Sequence, residues 1–277
     1  MFIYSLEVGA ATDVGRRRRR NEDSYAVFVA DPQENHPSRL SALMVVADGM
    51  GGERAGDRAS QITAKRLHQW LAGGAYRRWP ELAEGGLAAA LQRAITEVGR
   101  EIVELGEREP EVRGLGSTVV AVAMAGNQAV VAHVGDSRCY RVRGGQLERL
   151  TEDHSWVEQQ VAQGLLTPEK ARVHPGRNVL TRSLGDREPP VADVRIELLR
   201  DGDCYLLCSD GLTGGLDDDA LLALIQSETD PQRLADRLVR RANELDGSDN
   251  ITAVVGRCRK HELEDDDQPT QPLPKIG

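Results

Sequence analysis

Residues 118–142 read TVVAVAMAGNQAVVAHVGDSRCYRV. Three apolar, β-rich runs follow one another there, Thr118 to Met124, Ala129 to Val134 and Cys139 to Val142, and each predicts a strand. Working outward, similar runs recur at Phe2 to Val8, Tyr25 to Ala30, Leu43 to Ala47, Tyr205 to Cys208 and Ile251 to Val255. Two helical patterns lie between the Leu43 and Thr118 runs. The clearer one places Leu87, Leu91, Ala94, Ile95, Val98, Ile102 and Leu105 within about 100° of one another at 3.6 residues per turn. A second pair is predicted at Asp217 to Ser227 and Pro231 to Leu245; the latter has proline in its first turn and Leu234, Leu238, Ala242 and Leu245 on one side. Helices therefore come in pairs between groups of strands, not singly between strands. That arrangement predicts an α+β fold of largely antiparallel sheets with helices packed outside.

A chain of 277 residues with 40% hydrophobic content can bury a sizeable core. Its formal charge of −9, with 44 acidic residues, disfavours a protein that coats nucleic acid or anionic membrane but leaves room for carboxylate clusters that hold cations. The opening MFIYSLEVGA lacks a basic segment followed by an apolar stretch, and no run reaches about 18 apolar residues, so a cytoplasmic location is expected. Residues from about 145 to 200 mix short helical pieces with Gly164, Pro168, Pro175, Gly176, Gly185, Pro189 and Pro190, which predicts an inserted flap. After Arg259 the tail HELEDDDQPTQPLPKIG is acidic and proline-containing, and disorder is expected over 260–277. Thr270 within it is either a solvated residue or, if phosphorylated, a docking point for a partner. Cys139, Cys204, Cys208 and Cys258 show neither a CxxC pair nor zinc spacing. They read as buried thiols, with Cys204 and Cys208 at i and i+4 as the one pair to test for redox chemistry.

Three apolar runs end in aspartate: LMVVADGMGG at Asp48, AHVGDSR at Asp136 and YLLCSDG at Asp210. A fourth, Asp249, directly precedes NITAVV. A single Asp-Gly after a strand is ordinarily a turn. Several strand ends on one sandwich edge, however, bring carboxylates to one point, and anions at that density need cations. Oxygen-only donors suit magnesium, manganese or calcium better than zinc, and glycine after Asp48 lets a backbone carbonyl approach an ion. Upstream, Arg16 to Arg20 run straight into Asn21, Glu22 and Asp23. Such a run is commonly a solvated basic loop, but a planar guanidinium beside bound cations also matches phosphate oxygens.

The ordered motifs GRRRRRNED, VVADGMGG, GLGSTVV, VGDSR, LTEDHS, NVLTRSLG, LCSDGL and SDNITAVV resemble the metal-dependent serine/threonine phosphatases of the type 2C class (PPM family), in their bacterial branch, over about residues 1 to 258. The resemblance implies a four-layer α/β/β/α sandwich forming a catalytic domain at 1–259, and hydrolysis of phosphoserine and phosphothreonine in proteins. It implies two Mn2+ or Mg2+ ions: Asp48 bridges them, Glu22 and the Gly49 carbonyl lie on one, and Asp210 and Asp249 on the other. A third, weaker ion near the flap would use Asp136 and Asp210. Arg18 matches the phosphate-binding arginine, while Asp23 and Asn250 match positions that support metal-bound water and the ligand loops. A hydroxide bridging the ions would attack phosphorus in line, with no phosphoenzyme. A cognate serine/threonine kinase is the implied opposing partner. The chain departs from the family pattern at Glu53, where many relatives carry a histidine assigned as proton donor. Metal-bound water, Glu53 itself, or no acid at all remain alternatives, as does a catalytically weak scaffold of the same fold. His154 and His174 fall in the flap, where lone histidines are more often structural or exposed than catalytic.

Overall fold

Along the strand β3 (Leu40–Met50), Leu43 and Val45 enter one apolar cluster while Met44 and Val46 enter another. A strand with period-2 side chains and two apolar faces must be covered from both sides. The computed structural model, which describes residues 2–31, 40–51, 55–73, 81–188 and 190–262, shows how this is done. On one side, α1 (Gly56–Leu67) and α2 (Glu81–Arg108) lay Leu67, Leu91, Ile95, Val98 and Ile102 onto Leu43, Val45, Val119 and Ala121. On the other, Met44, Val46, Val120 and Val122 meet Leu6, Tyr205, Leu207 and Val254 of a second sheet. That sheet's far face carries α5 (Asp210–Gly215), α6 (Asp218–Ser227) and α7 (Pro231–Leu245), with Leu212, Leu221, Leu234 and Leu238 against Leu206 and Val255. The layers are helix, sheet, sheet, helix.

The first sheet runs β2 (Asp23–Val29), β3, β5 (Val119–Ala125), β6 (Gln128–Val134), β9 (Asp193–Leu198), with the two-residue β4 (Gly116–Ser117) on β3. The second runs β1 (Phe2–Asp13), β11 (Ile251–Glu262), β10 (Cys204–Cys208), β7 (Arg138–Arg143), β8 (Gln146–Arg149). Among the described residues all nine strand pairings are antiparallel. The regular part of α2 starts at Leu87, because Gly86 is non-helical at φ 62°. Helix α7 begins as its sequence dictates: Asp230 accepts from the Arg233 N–H, Pro231 follows, and Leu234, Ala235, Leu238 and Ala242 are buried.

The stretch expected as a flap carries sheet strands at both of its ends, β8 and β9, and between them the short helices α3 (Trp156–Ala162) and α4 (Pro168–Arg172). Strand β11 continues past Arg259 to Glu262, paired with β1. The four cysteines are free and buried. Cys204 and Cys208 stand at opposite ends of the five-residue β10, about 13 Å apart at the rise of a strand, too far for a disulfide. No helix among the described residues is long and apolar enough to cross a membrane.

Candidate metal centre

Asp48 lies among the last three residues of β3, Asp136 follows β6 after one glycine, Asp210 opens α5 one serine after β10, and Asp249 is separated from β11 by Asn250. Two rigid sheets thus deliver four carboxylates from chain ends that the hydrophobic register holds in place. Their charges act on one another. Burial first, then Asp23, Asp210, Asp136 and Asp249, push Asp48 well above the usual carboxylate range. Burial and Asp249 push Asp210 up to about 6, with Asp48 and Arg138 opposing. Asp136 is also pushed well up, by burial, Asp210 and Asp153, with Arg138 opposing. Carboxyls crowded in this way retain protons unless a cation takes their place.

The donor set fits such a cation. Asp210 Oδ1 and Asp23 Oδ1 are buried without a hydrogen-bond partner, which is costly for a carboxylate oxygen and is relieved by an ion or by water bound to one. Asp23, the β-sheet partner of Asp48, holds its other oxygen on the hydroxyls of Ser209 and Thr252, both at 2.7 Å. Burial outweighs those two bonds and leaves Asp23 at about 7.

Glu22 is fixed through its backbone: its N–H donates to Asn250 Oδ1 (2.8 Å) and its carbonyl accepts from Gly49 N–H (3.1 Å). Asn250 also donates to the carbonyls of Val14 and Arg20, both at 2.9 Å, tying the arginine loop to the start of β11. Gly49 permits a close approach of strand and helix, since a Cβ there would fall 2.0 Å from the Gly56 carbonyl oxygen. A Cβ on Gly56 would in turn lie 3.0 Å from the carboxyl carbon of Glu22, so that side chain sits over the start of α1. Arg18 turns inward, donating to Asp249 Oδ2 at 2.6 Å, and feels Glu22 and Asp48 as well. Its guanidinium remains half-exposed and open to an incoming anion. Glu53 and Thr270 lie outside the described residues.

Beside Asp136, Arg138 forms a two-pronged pair with Asp153 (2.9 and 2.6 Å), a pairing that local sequence pattern does not reveal although the two residues lie in VGDSR and LTEDHS. Further along, His154 is buried, not exposed, and stacks on His133 with ring centroids 4.5 Å apart. Among the described residues, His133, His154 and Asp193 are the trio of candidate ligands whose atoms all approach within 4.8 Å, and no three of the core carboxylates close to that spacing. A cation in the core therefore has to draw its carboxylates inward or share them with water. The trio is arranged for hydrogen bonding. His154 Nδ1 accepts from Gly135 N–H at 3.1 Å, so its proton is on Nε2, 3.2 Å from Asp193 Oδ2. With one nitrogen accepting and the other protonated, that ring has no lone pair left for a metal. Arg182 pairs with Asp193 at 2.6 Å and supplies the positive charge there. Burial above all, then His133 and Arg182, push His154 down to about 4, which keeps the ring neutral.

Residues 16–254 match the protein phosphatase 2C family. A relative named serine/threonine phosphatase stp, from Listeria monocytogenes, is 38% identical over 248 residues, 88% of this chain and 92% of that protein. The serine/threonine phosphatase of S. agalactiae superposes with a TM-score of 0.80 at 34% identity, covering 91% of this chain and 99% of that one. The catalytic domain of the phosphatase PstP, solved in complex with 2 manganese ions, superposes with a TM-score of 0.77 at 33% identity, covering 92% and 99%.

Proposed function

Because this chain belongs to the protein phosphatase 2C family and is a serine/threonine protein phosphatase, we propose that it hydrolyses phosphoserine and phosphothreonine with two Mn2+ or Mg2+ ions held by Glu22, the Gly49 carbonyl, Asp48, Asp210 and Asp249, and a third near Asp136. The observation that carries this reading is the arrival of Asp48, Asp136, Asp210 and Asp249 from strand ends beside the inward-turned Arg18, with Asp210 Oδ1 buried and unpartnered. The manganese-bound relative supports the choice of ion. When bound, the cations supply charge neutralisation at the phosphoryl oxygens and an activated water for in-line attack.

The chain's own contribution is positioning. Arg18 offers paired N–H donors to phosphate oxygens once it leaves Asp249. Asp23, held through one oxygen by Ser209 and Thr252, leaves its other oxygen without a protein partner, where it would accept from water on a bound ion. Asn250 locks the Glu22 and Arg20 backbone to the strand that follows Asp249. No cysteine nucleophile competes: burial pushes Cys204 up to about 11 and Cys208 up to about 12, and Cys139 and Cys258 higher still. The catalytic domain, expected to end at 259, is extended to Glu262 because β11 pairs with β1 to that residue, and the tail follows it. Phosphoproteins are the substrates, a reading supported by the exposed Arg17 and Arg19 on either side of Arg18, which can meet residues flanking a phosphorylated side chain, and a serine/threonine kinase is the opposing enzyme this activity calls for. Manganese-dependent turnover of a phosphothreonine peptide tests the reading. Asp48→Asn should lower it by roughly a hundredfold or more, the scale of losing one preorganised charge-stabilising group, and chelator should abolish it. Near-normal turnover in Asp48→Asn refutes the assignment.

A further inference from the structure

Gly135 joins the end of β6 to Asp136 in a conformation that only glycine adopts easily, with φ +103° and no room for a Cβ, which would lie 2.6 Å from Thr118. Both polar groups of its backbone are taken by one residue. The Gly135 N–H donates to His154 Nδ1 at 3.1 Å, and the Gly135 carbonyl accepts from the His154 N–H at 2.9 Å. The other edge of the imidazole is held equally firmly, Nε2 donating to Asp193 Oδ2 at 3.2 Å while Arg182 donates to the same carboxylate at 2.6 Å. One ring face stacks on His133, itself tied to the Glu152 carbonyl at 2.7 Å, and the His154 carbonyl accepts from Thr181 N–H at 2.8 Å. A side chain that merely filled space here would need neither nitrogen. This one uses both, and Nδ1 ends on the N–H of Gly135, the residue before Asp136, whose carbonyl, the start of the peptide that leads into Asp136, is held by the His154 backbone N–H.

We propose that His154 is a positioning residue for Asp136: by clasping Gly135 through its backbone and Nδ1, it fixes where the Asp136 carboxylate meets a weakly held third cation. It also links that cation to the flap through Thr181 and Arg182. The inference rests on Asp136 being a cation ligand, and the two claims separate experimentally. Glutamine at this position can still donate to Asp193 but offers no acceptor to Gly135, whereas asparagine places an oxygen where Nδ1 stood.

Manganese bound per full-length chain, counted from the electron paramagnetic resonance signal of the free ion, provides the test. Asp136→Asn should lose the weaker ion. His154→Gln should weaken that ion by about tenfold or more while the two tighter ions stay within about twofold, and His154→Asn should hold it near the wild-type affinity, the range expected when an outer partner of a ligand is removed or replaced. Should Asp136→Asn lose the ion while His154→Gln keeps it, or should the Gln and Asn variants behave alike, the proposal is overturned. If Asp136→Asn itself keeps all the ions, the ligand reading of Asp136 falls and the proposal with it. A second measurement does not depend on a variant folding. In the wild-type chain, the Gly135 amide and His154 Nδ1 nitrogen resonances should shift together as Mg2+ fills the weak site; a silent His154 nitrogen would overturn the coupling.

Discussion

Asp23 shows how much of this site is decided by single side chains. Its carboxyl is raised from its ordinary 3.8 to about 7, by burial against two hydroxyl hydrogen bonds. The folded chain therefore binds more protons than the unfolded one between those values, and stability falls as pH rises through the window and returns on acidification. Chelated protein should melt at a higher temperature at pH 5 than at pH 8, and Asp23→Asn should reduce that difference. An unchanged slope in the variant would remove Asp23 as its source. Arg18 makes a different prediction. A hydrogen bond to a charged group contributes about 1.5–3 kcal/mol, so Arg18→Ala should raise KM for a phosphopeptide by about 10- to 100-fold, with lysine restoring only part because it lacks the paired donors. An unaltered KM would show that the guanidinium does not hold phosphate. The aspartates are legible in the sequence because Asp48, Asp136 and Asp210 each sit where an apolar run stops and Asp249 just before one starts. Arg138, Asp153 and the buried role of His154 are not, since their meaning lies in contacts such as Arg138 to Asp153 and His154 to Asp193, which no local pattern encodes.

At the scale of elements, the strands that the sequence declares are those with two apolar faces. Strands β3, β5 and β10 are buried almost throughout, and their uninterrupted Val, Ala and Leu runs follow from cover on both sides. The strands it conceals are edges. Strand β9, DVRIEL, leaves Ile196 and Leu198 exposed, and β8 is the four-residue QLER; neither carries a continuous apolar signal, so both were absorbed into the expected flap. The second half of β1, GAATD, has weak intrinsic preference and is a strand because Ile251 to Val255 pair with it. The contact between β3 and α1 at Gly49 is tight enough to test. Gly49→Ala should cost about 1–3 kcal/mol by overpacking and also weaken cation binding, because the Gly49 carbonyl and Glu22 would move. Leu91→Ala in α2 should cost about 2–5 kcal/mol yet leave cation affinity unchanged. Thermal melts and manganese titrations on both variants check the contrast, and equal effects on cation binding would contradict it.

Across the whole molecule, three apolar clusters stack as helix on sheet, sheet on sheet and sheet on helix, and the loops at one edge of the middle cluster carry the charge. The α+β class followed from helices arriving in pairs; the division into two sheets needed the long-range registers that the structure supplies. Stability and chemistry are thereby separated in space, the core being apolar and the acids lying at strand ends. The central claim is that Glu22, Asp48, Asp210 and Asp249 share a pair of cations within reach of Arg18. Anomalous diffraction from crystals of the full chain soaked in manganese measures it directly. Two peaks about 3.5–4 Å apart, bridged by Asp48, are predicted; peaks only at His133, His154 and Asp193, or none among the carboxylates, would contradict it.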